Sequence, residues 1–377
     1  MIELMKSRIA RLGRRLEVAG LSRAQERALN VALGVVVVLF TAGWAVVVGN
    51  AARAGHPISV TGDLATSPLS STAPPPATFV LDRLIATTST AEWRGRSGAV
   101  RALIGEPERP VPLADTLGLD SLPGGARVEV QPVDSPNIRT LPATERPGAY
   151  RLLLRLRNEV RQIADATLLS PVPSRMIEDG RLGAYVIGEW PGRAERPAKL
   201  RTEEYDAPAG LIAVTPSNRS LRVSEHLTLG DFLTKGQEGV WPKYVAITPE
   251  LLDKVELTLQ ELERMGHPVR NIGVISGFRT PWYNAHGGAT AGRGSVSRHI
   301  YGDALDFYID NDGDGQMDDL NGDGRVDIQD ARIVARAANR VEQRYPDYVG
   351  GIGVYPPVPG AHSGFVHVDA RGYRARW

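Results

Sequence analysis

From Ala28 to Ala52 the chain carries no charged residue. As a helix this run spans roughly 37 Å at about 1.5 Å per residue, enough to cross the hydrocarbon of a bilayer. Lys6, Arg8, Arg11, Arg14, Arg15, Arg23 and Arg27 precede it, against three glutamates. That excess of positive charge keeps the N-terminus in the cytoplasm. The expectation is a basic cytoplasmic tail over 1–28 and a transmembrane helix over 29–50. The rest of the chain then lies outside a bacterial inner (cytoplasmic) membrane, in the periplasm or cell exterior, held by one helix. A cleaved signal peptide is the alternative, since Gly49 and Ala51 are small enough for a cleavage site. The apolar run is longer than a usual signal core, which favours a retained anchor.

The 377 residues leave room for two modest domains after the anchor. A net charge of +1 gives no global field for nucleic acid. Cysteine is absent, so any transition metal must be held by histidine and carboxylate. Residues 51–125 begin with a stiff Pro-rich spacer, "TSPLSSTAPPPAT", and continue into "FVLDRLIATTSTAEWRGRSGAVRALIG", a possible helix or two. Over 126–219 the pattern is β. "ARVEVQPV" alternates, "AYRLLLRLR" places Tyr150, Leu152, Leu154 and Leu156 on one face, and "LGAYVIGEW" and "GLIAVTP" are short runs between Gly and Pro. A small all-β module, sandwich or barrel, is expected there, without catalytic residues.

Over 220–377 helical and strand patterns mix, so the fold class expected is α+β. "TPELLDKVELTLQELERMG" reads as a helix capped by Thr248, with Pro249 in its first turn, Gly266 at its end and one apolar stripe. "NIGVISG", "DALDFYI" and "GFVHVDA" read as strands, and "DARIVARAANRVEQRY" as a second helix.

His299 and Asp306 stand seven apart, and His367 follows much later. Two neutral imidazoles and a carboxylate suit a catalytic zinc ion with its fourth position left to water. Spacing alone also fits a surface His–Asp pair. The motif S-x-H-x-x-G-x-A-x-D, here Ser297, His299, Gly302, Ala304 and Asp306, resembles the signature of the zinc D-Ala-D-Ala carboxypeptidases, the VanY-like family. "SGFRTPWYN" with Arg279, and the later H-x-D of His367 and Asp369, agree with that family in order and spacing. The resemblance covers roughly residues 221–377. It implies a hedgehog/D,D-peptidase-like fold, zinc held by His299, Asp306 and His367, and peptidoglycan stem peptides as substrate. It also implies that Arg279, with Ser297 beside the ligands, handles a substrate carboxylate or a developing oxyanion. A structural salt bridge is the other reading of Arg279. Many family members carry a glutamate three residues before the last ligand, where this chain has Gly364. Asp369 and His362 are the available substitutes for the base. Asp369 shares a strand face with His367 and either reaches the water or orients the imidazole. His286 stays unassigned.

The stretch 310–330 holds eight aspartates against one arginine, a density that calls for a cation. Its second half fits a calcium loop: Asp319, Asn321 and Asp323 at positions 1, 3 and 5, Gly324 at 6, the Arg325 carbonyl at 7, Asp327 at 9 and Asp330 at 12. It resembles dockerin-type loops, and Val326 at position 8 is expected to pack. The first half, with Asp310, Asp312, Asp314 and Asp318, fits less well and is a possible second calcium site. The function expected is that of a membrane-anchored zinc peptidase, D,D-carboxypeptidase or endopeptidase, cutting peptide bonds in peptidoglycan, with structural calcium. The alternative is a non-catalytic wall-binding protein on the same fold.

Overall fold

The computed structural model describes residues 101–109, 127–137, 139–140, 146–156, 159–288 and 293–377. The basic tail, the helix expected over 29–50 and most of the linker lie outside the described residues. Among the described residues no helix is long and apolar enough to cross a membrane. Helices and strands mix, which makes the described region α+β.

The first sheet joins β1 (Arg101–Ile104), β2 (Arg127–Pro132), β3 (Arg139–Thr140), β4 (Gly148–Leu156) and β5 (Glu159–Ser170) in the order β1-β5-β4-β2-β3. The end of the segment expected as helical is thus a strand. β1 pairs in parallel with β5 and buries Ala102 and Leu103, so tertiary pairing overrides local propensity there. The alternation expected in β4 also breaks. A register shift between Arg151 and Leu153 leaves Leu152 and Leu153 both buried, as a bulge allows.

A second, three-stranded sheet has the order β10-β9-β6, from β6 (Val172–Pro173), β9 (Gly210–Val214) and β10 (Lys243–Val245). β7 (Arg181–Leu182) and β8 (Tyr185–Val186) form a hairpin. β9 lies before residue 220 and β10 after it, and one hydrophobic core runs from Ala102 to Val368.

Helix α1 (Pro249–Arg264) has the expected start. The Thr248 hydroxyl accepts from the Leu251 N–H, and Pro249 opens the first turn. Its surroundings differ from a one-stripe helix, because Leu251 to Leu262 are buried on every side. α3 (Ile328–Arg344) packs on one flank and β1 touches another. Of the polar residues this buries, Lys254 pairs with Glu342, Asp253 with the Tyr348 hydroxyl, and Glu256 with His226.

The third sheet has the order β11-β12-β14-β13-β15, from β11 (Ile272–Ser276), β12 (Ala304–Ile309), β13 (Gly351–Tyr355), β14 (Phe365–Asp369) and β15 (Ala375–Arg376). Short helix α2 (Pro281–His286) follows β11. The period-two rule sorts the side chains of this sheet. Leu305, Phe307, Val366 and Val368 belong to the core that α1 and α3 share. Asp306, His367 and Asp369 therefore point from the opposite face.

Candidate metal centre

Asp306 and His367 are direct register partners on β12 and β14, 61 residues apart in the chain. His299 reaches them from a 3-10 turn, Arg298–Tyr301, that closes through Gly302 at φ 79°. No side chain fits at Gly302: a Cβ there would stand 2.5 Å from the Ala246 carbonyl group. The ligating atoms of His299, Asp306 and His367 all lie within 4.8 Å of one another, and all three residues are buried.

Back-side hydrogen bonds aim the two rings. His299 Nδ1 sits 2.7 Å from the Gly277 carbonyl oxygen and donates to it, which turns Nε2 towards the cluster. His367 Nε2 lies 3.0 Å from Asp369 Oδ2, which turns Nδ1 inward, 2.8 Å from Asp306 Oδ1. Asp369 thus stands behind the His367 ring, on the side away from the cluster. Its carboxylate also accepts from the Gly351 N–H at 2.8 Å and from the Arg371 guanidinium at 2.8 and 2.9 Å, and it is fully buried. This is the arrangement that orients a metal-binding imidazole. It gives Asp369 no access to a water in front of the ring.

The cluster favours positive charge. Burial alone would raise Asp306, yet the two imidazoles hold it well below the usual carboxylate range. Burial pushes His367 down, but its hydrogen bonds to Asp306 and Asp369 outweigh this and raise it to about 9. Burial lowers His299. Two inward-facing imidazole nitrogens, one carboxylate and no thiol form a donor set that fits a divalent metal ion.

A cavity of about 640 Å³ opens over this cluster. Arg279, Ser297 and His362 all line it, together with His299, Asp306 and His367. Arg279 Nη2 donates to Asp306 Oδ2 at 2.8 Å, and Nε donates to Ser276 Oγ at 2.8 Å. His362 turns Nδ1 to the Ser363 carbonyl, 2.8 Å away, and Nε2 has no partner among the described residues. A Cβ added at Gly364 would stand 3.5 Å from Met317 and from Pro357, an ordinary contact. His286 stacks on Trp282 and is exposed, away from the cavity lining.

Tyr355, Arg371 and Trp377 are among the lining residues that carry no motif signal. The Trp377 indole N–H donates to the Tyr355 hydroxyl at 2.6 Å, and Tyr355 stacks flat on Phe365. Arg371 lies against the Trp377 ring. A residue packed on a strand from elsewhere in the chain leaves no local pattern to read.

The two halves of the acidic loop differ in how they use their oxygens. Among the described residues, its one gathered set of three carboxylates is Asp310, Asp312 and Asp314, in the first half. In the second half the oxygens face backbone N–H groups. Asp319 accepts from Gly322, Asp323 and Gly324, and Asn321 Oδ1 accepts from the Asp323 N–H. Asp323 accepts from Arg325, and Asp327 caps α3 through Gln329. Asp330 accepts from Leu320, Asn321 and Asp327. Asp318 accepts from the Asn311 N–H. Val326 is 41% exposed rather than packed.

No protein-family model, curated protein or solved structure matches the chain.

Proposed function

We propose that this chain is a zinc peptidase acting on peptidoglycan stem peptides or crossbridges, as a D,D-carboxypeptidase or endopeptidase held outside the cytoplasmic membrane by its N-terminal helix. The observation that carries this reading is the convergence of His299, Asp306 and His367, with ring nitrogens aimed inward by Gly277 and Asp369, under an open cavity. The motif resemblance supplies the substrate class. Zinc, when bound, supplies a Lewis acid for a carbonyl oxygen and makes a water acidic enough to attack at neutral pH.

The chain's own residues divide the remaining work. His299, Asp306 and His367 hold the ion. Asp369 orients His367 and stays ionised through its bonds to Arg371 and Gly351. His362, in the cavity wall and with no partner at Nε2 among the described residues, is the group placed to take and return a proton. Arg279 presents its guanidinium to the same cavity, where it stabilises the negative charge that develops on the carbonyl oxygen. Calcium in the acidic loop would brace the strand carrying Asp306 against α3, with Asp310, Asp312 and Asp314 as its gathered ligands.

One observation favours the rival, non-catalytic reading. Gly364 offers no carboxylate beside the last ligand, and the ion-holding Asp306 is the acid in the cavity lining. The full chain, in detergent micelles with purified muropeptides, separates the two. Mass spectrometry should find loss of a D-Ala or a cut crossbridge that a zinc chelator stops. No product from chains shown to hold one zinc each would establish the wall-binding alternative.

A further inference from the structure

Past Arg279 the cavity of the metal centre continues into a second chamber of about 290 Å³. Ile275, Arg279 and Arg293 line both spaces, so they are contiguous. One wall of the chamber is β11, an edge strand that pairs only with β12 among the described residues. An unpaired strand edge offers main-chain hydrogen bonds to an extended peptide. Ser276, at the end of this edge, is the register partner of Asp306, so a peptide laid along β11 leads to the metal centre.

The polar groups of the chamber are almost all donors. Its one acid, Asp231, already accepts from the Thr228 N–H at 2.7 Å and the Thr228 hydroxyl at 2.8 Å. Both of these bonds end on Oδ2. Thr234 donates to the Phe278 carbonyl and accepts from the Thr280 N–H. Ser276 Oγ accepts from Arg279, so its own proton remains to be given. Arg293 is held over the Tyr283 ring, with Nη1 donating to the Gly287 carbonyl at 2.5 Å. Nη1 also donates to the Tyr283 carbonyl at 3.3 Å, and Nε and Nη2 have no acceptor among the described residues. Lys235 is exposed and has no hydrogen-bond or ion-pair partner among the described residues. Lys235, Arg279 and Arg293 face one acid of the chamber, Asp231, and Asp306 pairs with Arg279 alone, so this end of the cleft keeps an excess of positive charge.

We propose that the chamber is a specificity subsite for a carboxylate carried by an extended peptide, bound by Arg293 and Lys235 while the scissile bond lies over the metal centre. The direction of the peptide rests on the peptidase reading; the subsite itself is a matter of binding. The carboxylate has two possible sources, an acidic side chain or a free peptide C-terminus.

The test uses the full chain in detergent micelles, loaded with zinc, and three acetylated alanine-based tetrapeptides. One has a glutamate side chain and an amidated C-terminus, one has glutamine and an amidated C-terminus, and one has glutamine and a free C-terminus. Binding is read by rapid-mixing tryptophan fluorescence, since Trp377 lines the cavity. One of the two carboxylate peptides should bind at least about tenfold tighter than the neutral one, and which one names the source. Lys235→Met and Arg293→Met should each lose most of that preference, and Arg293→Lys should recover part of it. Lys235 is exposed, so its variant leaves the core untouched. The proposal is overturned if the natural chain shows no preference, or if both methionine variants keep it. Mass spectrometry of the same mixtures tests the other reading separately. Preference without product would keep the subsite and remove the peptidase, and product without preference would do the reverse.

Discussion

Replacing Asp369 by asparagine keeps the shape of a fully buried side chain and removes its charge. In the native chain both carboxylate oxygens are acceptors only. Oδ1 takes the N–H groups of Gly351 and Arg371, and Oδ2 takes His367 Nε2 and the Arg371 guanidinium. An amide must turn its NH₂ towards one of these sets. Turned towards His367, it converts Nε2 into an acceptor and moves the ring proton to Nδ1, the atom that faces the ligand cluster. Turned towards Gly351, it sets a donor against a buried N–H. The first outcome blocks a metal ligand and the second loosens β14. Loss of such a supporting carboxylate costs about 10–100-fold in metal affinity, or about 1.4–2.7 kcal/mol. Competition between the ion-stripped protein and a chromophoric zinc chelator measures this directly. Zinc affinity equal to that of the natural chain would refute the orienting role. If turnover were then lost, Asp369 would be the base and His362 would not.

Other perturbations test the surrounding structure. In chelator-treated protein, His367 is raised from 6.5 to about 9, so its contribution is fully present below pH 6.5 and is lost as pH rises through 9. Stability from thermal melts should fall across that window by about 3–4 kcal/mol at most, and His367→Gln should flatten the profile. A chain begun at Leu221 lacks Leu211, Ile212 and Val214, all at most 2% exposed in the shared core. At about 1.5–3 kcal/mol each, their loss rivals the net stability of a domain, and circular dichroism should show no cooperative melt. A Cβ at Gly350 would overlap the Asp369 carbonyl, so Gly350→Ala should lower stability by about 1–3 kcal/mol in denaturant titrations and weaken zinc binding with it. Calcium should raise the melting temperature, and Asp312→Ala should abolish that rise. An effect of the variant that is equal with and without calcium would argue against the loop as a calcium site.

Local chemistry made the elements around the site legible. Thr248, Pro249 and Gly266 bound α1 because caps and a left-handed exit act within a turn, and Asp327 starts α3 for the same reason. Strands β11, β12 and β14 follow from short apolar runs, and the period of two puts His367 and Asp369 on one face. Residue types and spacing left His299 and Asp306 open to a surface pair, and it was the motif resemblance that named them with His367 as ligands. Which side of an imidazole a carboxylate occupies is not a matter of spacing. Asp369 lies behind His367 because Gly351 and Arg371, brought up by β13 and the turn after β14, hold it there. Tyr355 and Trp377 enter the cavity wall through contacts between distant strands, and Arg293 reaches Arg279 from across a loop. β1 became a strand, and β9 a partner of β10, through pairing with segments far along the chain. Short-range patterns determined which groups this protein carries and on which faces. The direction each group points, and what lies opposite it, was decided by long-range register and packing, whose energies no local window contains.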